Sequence, residues 1–480
     1  MIVGRKSEQK SLDRIYRSKE AEFVVVYGRR RVGKTFLVRQ FFAKKKCIFF
    51  QATGIHKGNI KKQLTNFIEM VSKVFLDNVP LNTPKNWEEA FKTLNKQLSK
   101  TKGKVVLFFD ELPWMATPRS GLLEVIDYYW NQYWSHMPNL ILIACGSSAS
   151  WLIKKIIYNK GGLHNRVTCQ IRLSPFQLFE VEQYLKSRNV KLNRQHILAL
   201  YMALGGIPYY LRYIEPGKTA QQSIQKLFFE KEAPLHDEFS KLFHSLFENA
   251  ESYIELIELI SERKRGIRRS ELNDMLQLSS YGGRLSARLK DLCETGFIEE
   301  YIPWGKVKGE YYKLVDEFCL FYLHWVKEQK IKRFSFDHWM QQSQSPSYNA
   351  WAGYAFEAVC MKHIYQIIES LKITTSSRVG TWQFFSENRK EDGAQIDLII
   401  DRSDNAMNVC EIKYTQNPFV IDKQYAQILR QRMKIFQEKA NVKKQLFLSM
   451  ITTNGLKETM YAEEMVQGVV VLDDLFCVIN

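Results

Sequence analysis

Apolar and polar residues alternate on two length scales in the first third of the chain. Short runs of β-branched and aromatic residues, bounded by glycine or polar residues, have the pattern of buried strands. Between them lie longer stretches whose apolar positions recur at helical spacing, such as Phe36–Phe42. This order predicts an α/β fold with a parallel sheet and crossover helices. The predicted strands are Phe23–Val26, Cys47–Gln51, Val105–Phe109 and Leu140–Cys145.

The rest of the chain is mostly helical in pattern and returns to strand-like runs near its end. The polar, proline-containing stretch 341–349 separates these two parts, and we interpret it as part of a linker. Helical patterns at about 350–370 and about 421–440 flank the later strand-like runs. The predicted organisation is a first domain at 1–240 with a helical lid at about 175–240, a middle domain at 241–325, a linker at 326–350 and a C-terminal domain at 351–480.

The loop after the first predicted strand has the spacing of a P-loop: Gly28, four residues, then Gly33-Lys34-Thr35. Glycines let the backbone N–H groups of such a loop point at phosphate oxygens. Lys34 would reach the β- and γ-phosphates, and Thr35 would ligate Mg²⁺. The helix that begins near Lys34 adds the positive end of its dipole. The sequence therefore predicts a site for ATP and Mg²⁺, with Val32 and Phe36 as its immediate neighbours.

Two acids, Asp110 and Glu111, stand at the end of an apolar strand-like run. Carboxylates in that position are costly unless they bind something. In a protein with a P-loop, Asp110 is expected to hold the water shell of Mg²⁺. Glu111 is expected to polarise the attacking water.

Two further residues near this site each have two interpretations. Ser147 follows the strand-like run Leu140–Cys145, and its hydroxyl is either a sensor of the γ-phosphate or the N-cap of the next helix. Arg166 is either an arginine finger or an ordinary surface arginine. A finger that acts in trans would require a homo-oligomer.

The first half of the chain resembles the archaeal-type ATPase family, on the AAA+/STAND side of the P-loop NTPases. The resemblance covers about the first 240 residues. It implies that Arg5 lies near the adenine, and that Gly206 and Pro208 belong to a helical lid that touches the nucleotide. The motifs that carry it occur in order: "VGRKSEQKSL", "GRRRVGKT", "LFFDELPWM", "CGSSASWL", "LSPF" and "GGIPYYL".

Residues 250–315, within the middle domain, resemble a winged helix-turn-helix. The stretch 267–276 is expected to form one helix with its turn, 283–292 the second helix, and 296–313 the wing. Leu285, Leu289 and Leu292 form the apolar stripe of the second helix. Arg284, Arg288 and Lys290 lie off that stripe, where a DNA-reading helix would present them to the major groove. The alternative is a protein–protein or autoinhibitory module of the same fold.

Charged residues interrupt the core-like sequence of the C-terminal domain at four places. Asp397 lies within one strand-like run, and Glu411 and Lys413 lie on the same side of the next. Glu357 lies on an apolar helix upstream. Such residues in buried sequence are either edge-strand charges with a Glu–Lys pair or a site of hard oxygen ligands for Mg²⁺ or Mn²⁺.

This set resembles the PD-(D/E)XK nuclease superfamily, and it also matches the domain of unknown function often fused behind archaeal-type ATPases. The resemblance implies an α/β fold like that of restriction endonucleases. It also implies that Asp397 and Glu411 ligate a metal, with help from the Ile412 carbonyl. Glu357 would bind the metal directly or through water, and Lys413 would orient the nucleophilic water or offset phosphate charge. Gln427 occupies a position where the superfamily often has an assisting polar residue.

Charge and cysteine content narrow the partners and the setting. The net charge of +18 suggests a polyanion, with nucleic acid and in particular DNA favoured over a generally basic surface. The eight cysteines include no C-x-x-C pair, which argues against a zinc site or a disulfide framework and fits a reducing cytoplasm. We expect neither a signal peptide nor a membrane span, because no apolar run approaches ~18 residues.

Three functions remain open at this point. The first is an ATP-controlled nuclease, in which the nucleotide repositions the winged helix and thereby regulates the C-terminal site. The second is a nucleotide-dependent switch or DNA-binding regulator with a silent nuclease-like domain. The third is an ATPase that assembles proteins, with a protein partner at the winged helix and the charge left unexplained.

Overall fold

The computed structural model describes residues 2–479 apart from 159–162, 164, 265, 277–282, 307–308, 328–337 and 385–392. The chain divides into two compact units. The first unit contains Met1–Pro175 and Arg288–Gly296, and the second contains Phe176–Ala287 and Phe297–Asn480.

The first unit is built on a five-stranded sheet in the order β2-β3-β4-β1-β5, in which every neighbouring pair is parallel. The predicted parallel sheet and all four predicted strands are confirmed within one or two residues. The fifth strand, β5, was not predicted, because its four residues give too short a pattern to recognise. The strands are β1 (Glu22–Tyr27), β2 (Ile48–Thr53), β3 (Val105–Asp110), β4 (Leu140–Gly146) and β5 (Cys169–Arg172).

Helices cover the sheet, and sequence signals explain where several of them begin. The side chains of Asn59 and Asn86 accept hydrogen bonds from backbone N–H groups in the first turns of α3 and α4. The rings of Phe67 and Phe91 stack at 5.4 Å in the core between these helices and the sheet. The helices are α1 (Lys6–Arg17), α2 (Lys34–Phe42), α3 (Ile60–Phe75), α4 (Trp87–Leu98), α5 (Leu112–Met115), α6 (Leu122–Gln132) and α7 (Ala149–Leu152).

The second unit begins with the predicted helical region. A helix ends at Gly205, and both Gly205 and Gly206 have a positive φ. Gly206 has a φ of 65°, and a Cβ there would lie 2.2 Å from the carbonyl oxygen of Phe176, so no other residue fits. The helices are α8 (Leu178–Ser187), α9 (Arg194–Leu204), α10 (Pro208–Leu211), α11 (Ala220–Ile224) and α12 (Glu238–Leu246).

The middle segment contains the two helices expected of a winged helix, at 269–275 and 283–295, followed by a hairpin of strands at 298–301 and 311–314. Its small antiparallel sheet has the order β6-β8-β7. Residues 267–268, predicted as the start of a helix, instead form β6, because they pair with β8. The leucine stripe of α15 is buried, and Arg284 and Lys290 are exposed. The elements are α13 (Ala250–Ser261), β6 (Ile267–Arg268), α14 (Arg269–Met275), α15 (Gly283–Thr295), β7 (Ile298–Tyr301), β8 (Tyr311–Leu314) and α16 (Glu317–Phe321).

The predicted linker is wrong where the structure describes it; residues 328–337 lie outside the described part of the chain. Residues 338–350 contain α17 (His338–Gln342) and the start of α18 (Pro346–Lys362), which α19 (Ile364–Ser370) follows. Ser345 accepts a hydrogen bond from the backbone N–H of Tyr348 and caps α18, with Pro346 in its first turn. Ser-Pro is therefore a helix start here and not a break.

The C-terminal part of the second unit holds a mixed five-stranded sheet in the order β13-β12-β11-β10-β9. Strands β9, β10 and β11 are antiparallel, whereas β11, β12 and β13 are parallel. No helix in the described residues is long and apolar enough to cross a membrane. The elements are β9 (Ser377–Phe384), β10 (Ala394–Arg402), β11 (Ala406–Lys413), α20 (Lys423–Lys439), β12 (Gln445–Thr452), α21 (Met460–Met465) and β13 (Val466–Val471).

Candidate nucleotide site and candidate carboxylate site

The P-loop connects β1 to α2 as predicted. A Cβ at Gly28 would lie 2.2 Å from the Leu173 carbonyl oxygen, and its φ of 143° also requires glycine. The ammonium of Lys34 donates hydrogen bonds of 2.9 Å to the carbonyl oxygens of Gly28 and Arg29. Burial lowers the pKa of Lys34, while Glu111 and Asp110 act against this. The lysine thus lies against the loop in which phosphates would bind.

Thr35 and Asp110 meet as Mg²⁺ chemistry requires. The Thr35 hydroxyl lies 3.0 Å from both carboxylate oxygens of Asp110. Burial, together with the neighbouring Glu111, raises the pKa of Asp110. A hydroxyl and a carboxylate are the hard oxygen ligands that Mg²⁺ prefers, so these residues fit the ion.

Gln51 also belongs to this site, although it was not among the predicted residues. Its amide donates to Asp110 at 3.2 Å, and its carbonyl oxygen accepts from Arg39 at 2.6 Å. Gln51 lies near the end of the predicted strand, where a polar side chain in an apolar run was the only available signal.

Glu111 and Ser147 are hydrogen-bonded to each other at the ends of neighbouring strands. The Ser147 backbone N–H and hydroxyl donate to Glu111 Oε2 at 3.0 and 2.9 Å. Ser148, not Ser147, occupies the N-cap position of α7, so capping does not account for Ser147. Glu111 itself has a φ of 48° and begins α5. The structure therefore brings the predicted base and the predicted sensor together.

The other residues predicted for the nucleotide site are placed as follows. Arg5 is buried and donates to the carbonyl oxygen of Val32 at 3.3 Å, which puts it beside the P-loop. Phe36 is about half exposed on the first turn of α2. Arg166 is exposed, and its charge lowers the pKa of Asp127, although burial of Asp127 raises that pKa. Pro208 begins α10 in the second unit.

Asp397 and Glu411 lie side by side on neighbouring strands of the mixed sheet. Leu398 pairs with Cys410 in the register of β10 and β11, which places the two acids next to that pair. The backbone N–H of Ile412 donates to Asp397 Oδ2 at 3.0 Å. The sequence-predicted pair of strand carboxylates is thus brought together.

Glu411 is held by basic and phenolic groups of its own domain. Lys413 lies 2.7 Å from its carboxylate, Arg432 donates to both oxygens at 2.9 and 3.1 Å, and the Tyr425 hydroxyl donates at 2.6 Å. Burial favours the neutral acid, but these partners hold the pKa of Glu411 below its ordinary value. The same carboxylate raises the pKa of Lys413 against the effect of burial.

Asp397 has a different electrostatic environment. Burial, followed by the charges of Glu411 and Glu357, raises its pKa to about 7. Lys313, on β8 of the winged helix, has Glu357, Glu299 and Asp397 as its charged neighbours, and burial lowers the pKa of this lysine. A buried carboxylate pair of this kind is stabilised by added positive charge.

The predicted set of three carboxylates is not assembled as a metal centre. Among the described residues, no group of three or more His, Cys, Asp or Glu side chains is placed to hold a metal ion. Lys413 and Arg432 both contact the Glu411 carboxylate.

Sequence reasoning missed three residues of this site and misplaced one. Tyr425 and Arg432, seven residues apart on one face of α20, contact Glu411, and this spacing was a usable signal. Lys313 comes from a distant segment and had no such signal. Gln427, the predicted assisting residue, lies on the exposed face of α20.

Two family models match the chain. One describes an ATPase domain predominantly from Archaea and matches residues 2–214. The other describes archaeal and bacterial proteins of unknown function and matches residues 322–432, which include all four residues of the predicted nuclease motif.

Individual proteins are similar over much of the chain. An uncharacterized protein of Methanocaldococcus jannaschii is 25% identical over 422 residues, which are 86% of this chain and 88% of that protein. An uncharacterized ATP-binding protein of the same organism is 46% identical over 46 residues, 10% of this chain and 78% of that protein. The structure of a Walker-type ATPase of Pyrococcus abyssi shares the fold over 67% of this chain and 96% of its own, with 20% identity and a TM-score of 0.50.

Proposed function

We propose that ATP controls a nuclease site in the C-terminal domain, because residues 2–214 match an ATPase domain found predominantly in Archaea and residues 322–432 match archaeal and bacterial proteins of unknown function. The nuclease is metal-dependent, with Mg²⁺ or Mn²⁺ as the ion. Its substrate is nucleic acid, with DNA favoured.

The pairing of Asp397 with Glu411, beside Lys413, carries this proposal. Two carboxylates on adjacent buried strands repel each other, and burial together with this repulsion raises the pKa of Asp397. A structural ion pair between Glu411 and Lys413 does not require a second carboxylate, Asp397, beside it. A site that binds a divalent cation and a phosphodiester does require it.

Each residue has a defined task in this proposal. Asp397 and Glu411 would hold the ion, which supplies charge at the phosphate and activates water. Lys413 lies 2.7 Å from Glu411, from which position it orients the nucleophilic water or offsets charge on the phosphate. Glu357, on α18, would bind the ion directly or through water.

The nucleotide site would work with the residues already described. Lys34 would move from the loop carbonyls to the phosphates, and Thr35 and Asp110 would hold Mg²⁺. Glu111 orients the attacking water, and Ser147 fixes the carboxylate of Glu111 through two hydrogen bonds. Arg166 remains a proposal for the finger, Arg5 for the adenine contact, and Pro208 for the lid contact.

The test is cleavage of a mixed panel of labelled DNA and RNA with Mg²⁺ or Mn²⁺, in the presence and absence of ATP. We expect wild type to cleave and Glu411→Ala to lose at least about 100-fold in cleavage rate while ATP hydrolysis stays nearly intact. Glu438→Ala, which removes an exposed glutamate of α20, is the matched control and should behave as wild type. Lys34→Ala should change the extent or the regulation of cleavage.

Loss of both ATP hydrolysis and cleavage from either Glu411→Ala or Lys413→Ala would contradict two separate sites. No cleavage by wild type under conditions of ATP hydrolysis would favour a second candidate. That candidate is a nucleotide-dependent DNA-binding regulator with a silent nuclease-like domain. The observation in its favour is the Arg432 guanidinium, which binds both oxygens of Glu411.

A further inference from the structure

The wing of the winged helix is docked on the C-terminal sheet within the second unit. The Trp304 backbone N–H donates to the Thr381 carbonyl oxygen on β9 at 2.9 Å, and its indole N–H lies 3.4 Å from Asp401 on β10. The indole packs against the ring of Phe436 at 5.5 Å and against the bare backbone of Gly380. A wing held in this way is not free to lie along a nucleic acid.

The same hairpin delivers a cation to the candidate carboxylate site. Lys313, on β8, lies opposite Glu299 in the strand register, and its ammonium lies 5.3 Å from the ring centroid of Tyr354 on α18. Glu357 is one helical turn beyond Tyr354 and therefore on the same face of α18. The charges of Glu357 and Asp397 both act on the Lys313 ammonium.

We propose that the winged helix inhibits the C-terminal site of its own chain, because Lys313 supplies the positive charge that a divalent cation would otherwise bring to Glu357 and Asp397. Trp304 holds the hairpin in that position. Undocking of the wing would withdraw the ammonium and open the carboxylates to the metal. This inference rests on the proposed nuclease function, for which it names the form of regulation.

Two features distinguish this arrangement from an ordinary structural ion pair. The ammonium comes from a separate segment of the chain, so movement of one hairpin removes it. The acids that it faces are also those that the nuclease motif assigns to the metal. The Lys313 ammonium and a divalent metal ion at the same carboxylates exclude each other by charge repulsion.

The experiment measures Mn²⁺ binding by the full-length protein without nucleotide, using electron paramagnetic resonance. Lys313→Met is expected to bind Mn²⁺ at least about tenfold more tightly than wild type, because one competing charge is gone. Trp304→Ala, which releases the wing without substituting Lys313, is also expected to tighten Mn²⁺ binding. Lys306→Met removes a charge from the same wing beside Tyr311 and should match wild type.

Addition of Asp397→Asn to each variant tests whether the Mn²⁺ is bound at the C-terminal carboxylates, since it should abolish the gain in affinity. Unchanged or weaker Mn²⁺ binding by Lys313→Met and Trp304→Ala would overturn the inference. Cleavage assays separate it from the proposed function. Tighter Mn²⁺ binding without cleavage leaves the inhibition standing and removes the nuclease. If wild type and Lys313→Met cleave at equal rates and bind Mn²⁺ with equal affinity, the nuclease function stands and the inhibition by Lys313 is removed.

Discussion

Two acids stand at the end of a strand of the first sheet. Asp110 is the last residue of β3 and Glu111 follows it, as the sequence predicted, because two carboxylates after an apolar run are rarely structural. The structure adds their partners: Thr35 for Asp110, and Ser147 for Glu111. Partners that come from other strands cannot be read from local sequence, because strand order sets them.

Glu111→Gln is expected to reduce the rate of ATP hydrolysis at least roughly 100-fold, because glutamine cannot act as a base towards water. Nucleotide affinity should stay within about threefold of wild type, since the amide keeps the volume of the side chain and can still accept from Ser147. Turnover assays and equilibrium binding of a labelled nucleotide measure the two effects. Lys34→Ala is the contrasting variant and should lose affinity. Near-normal turnover by Glu111→Gln would exclude it as the base.

At the scale of elements, strands and helices with strong periodicity were predictable, and connections between distant segments were not. The four long strands of the first sheet and helix α20 were found from pattern alone. The segment 338–350 was misjudged because its Ser-Pro pair marks a helix start as well as a break. The residues of the Glu411 site that lie on β10 and β11 were predicted from the sequence. Lys313 was not, because its position depends on where β8 packs.

A buried histidine joins two helical segments of the second unit. His363, between α18 and α19, is fully buried; its Nδ1 is 2.8 Å from the carbonyl oxygen of Val359, and its Nε2 accepts from the backbone N–H of Leu178 at 3.1 Å. This pattern requires the neutral ring, because a protonated Nε2 cannot accept. Burial lowers the pKa of His363 to about 4.

The unfolded chain, whose histidine keeps an ordinary pKa, binds more protons than the folded one between about pH 6.5 and pH 4. Stability should therefore fall as the pH falls through this window, by about 3 kcal/mol from this residue, and be unaffected by it above pH ~6.5. Urea denaturation at several pH values tests this. His363→Leu should be less stable at pH ~7 and should lack this part of the pH dependence. His136→Leu, which replaces an exposed histidine, should retain the pH dependence of wild type. Equal slopes for wild type and His363→Leu would refute the assignment.

The whole molecule carries a net charge of +18, which no single site accounts for. Exposed cations on the winged helix, such as Arg284 and Lys290, contribute to it. Charge of this size attracts a polyanion through many weak phosphate contacts, each of which releases counterions.

Nucleic-acid affinity is therefore expected to fall at least about tenfold between ~50 and ~200 mM salt, because each phosphate contact has to compete with free counterions. Fluorescence anisotropy with labelled DNA measures this. Glu411→Ala should show the same salt slope as wild type, since it removes no cation. Affinity that is independent of salt, or no binding at low salt, would favour an ATPase that assembles proteins.

The helix α17 determines how this chain can be divided in the laboratory. The indole N–H of Trp339 donates to Gln221 and its backbone N–H donates to Gln225, both at 2.9 Å, so α17 is anchored to the helical region that follows the P-loop domain. A fragment that starts at residue 351 would lose this anchor together with Ser345, the cap of α18. It would also separate His363 from Leu178. Truncated proteins and domain exchanges should therefore keep residues 176–480 together. A protease would find no extended cleavage site between residues 338 and 350.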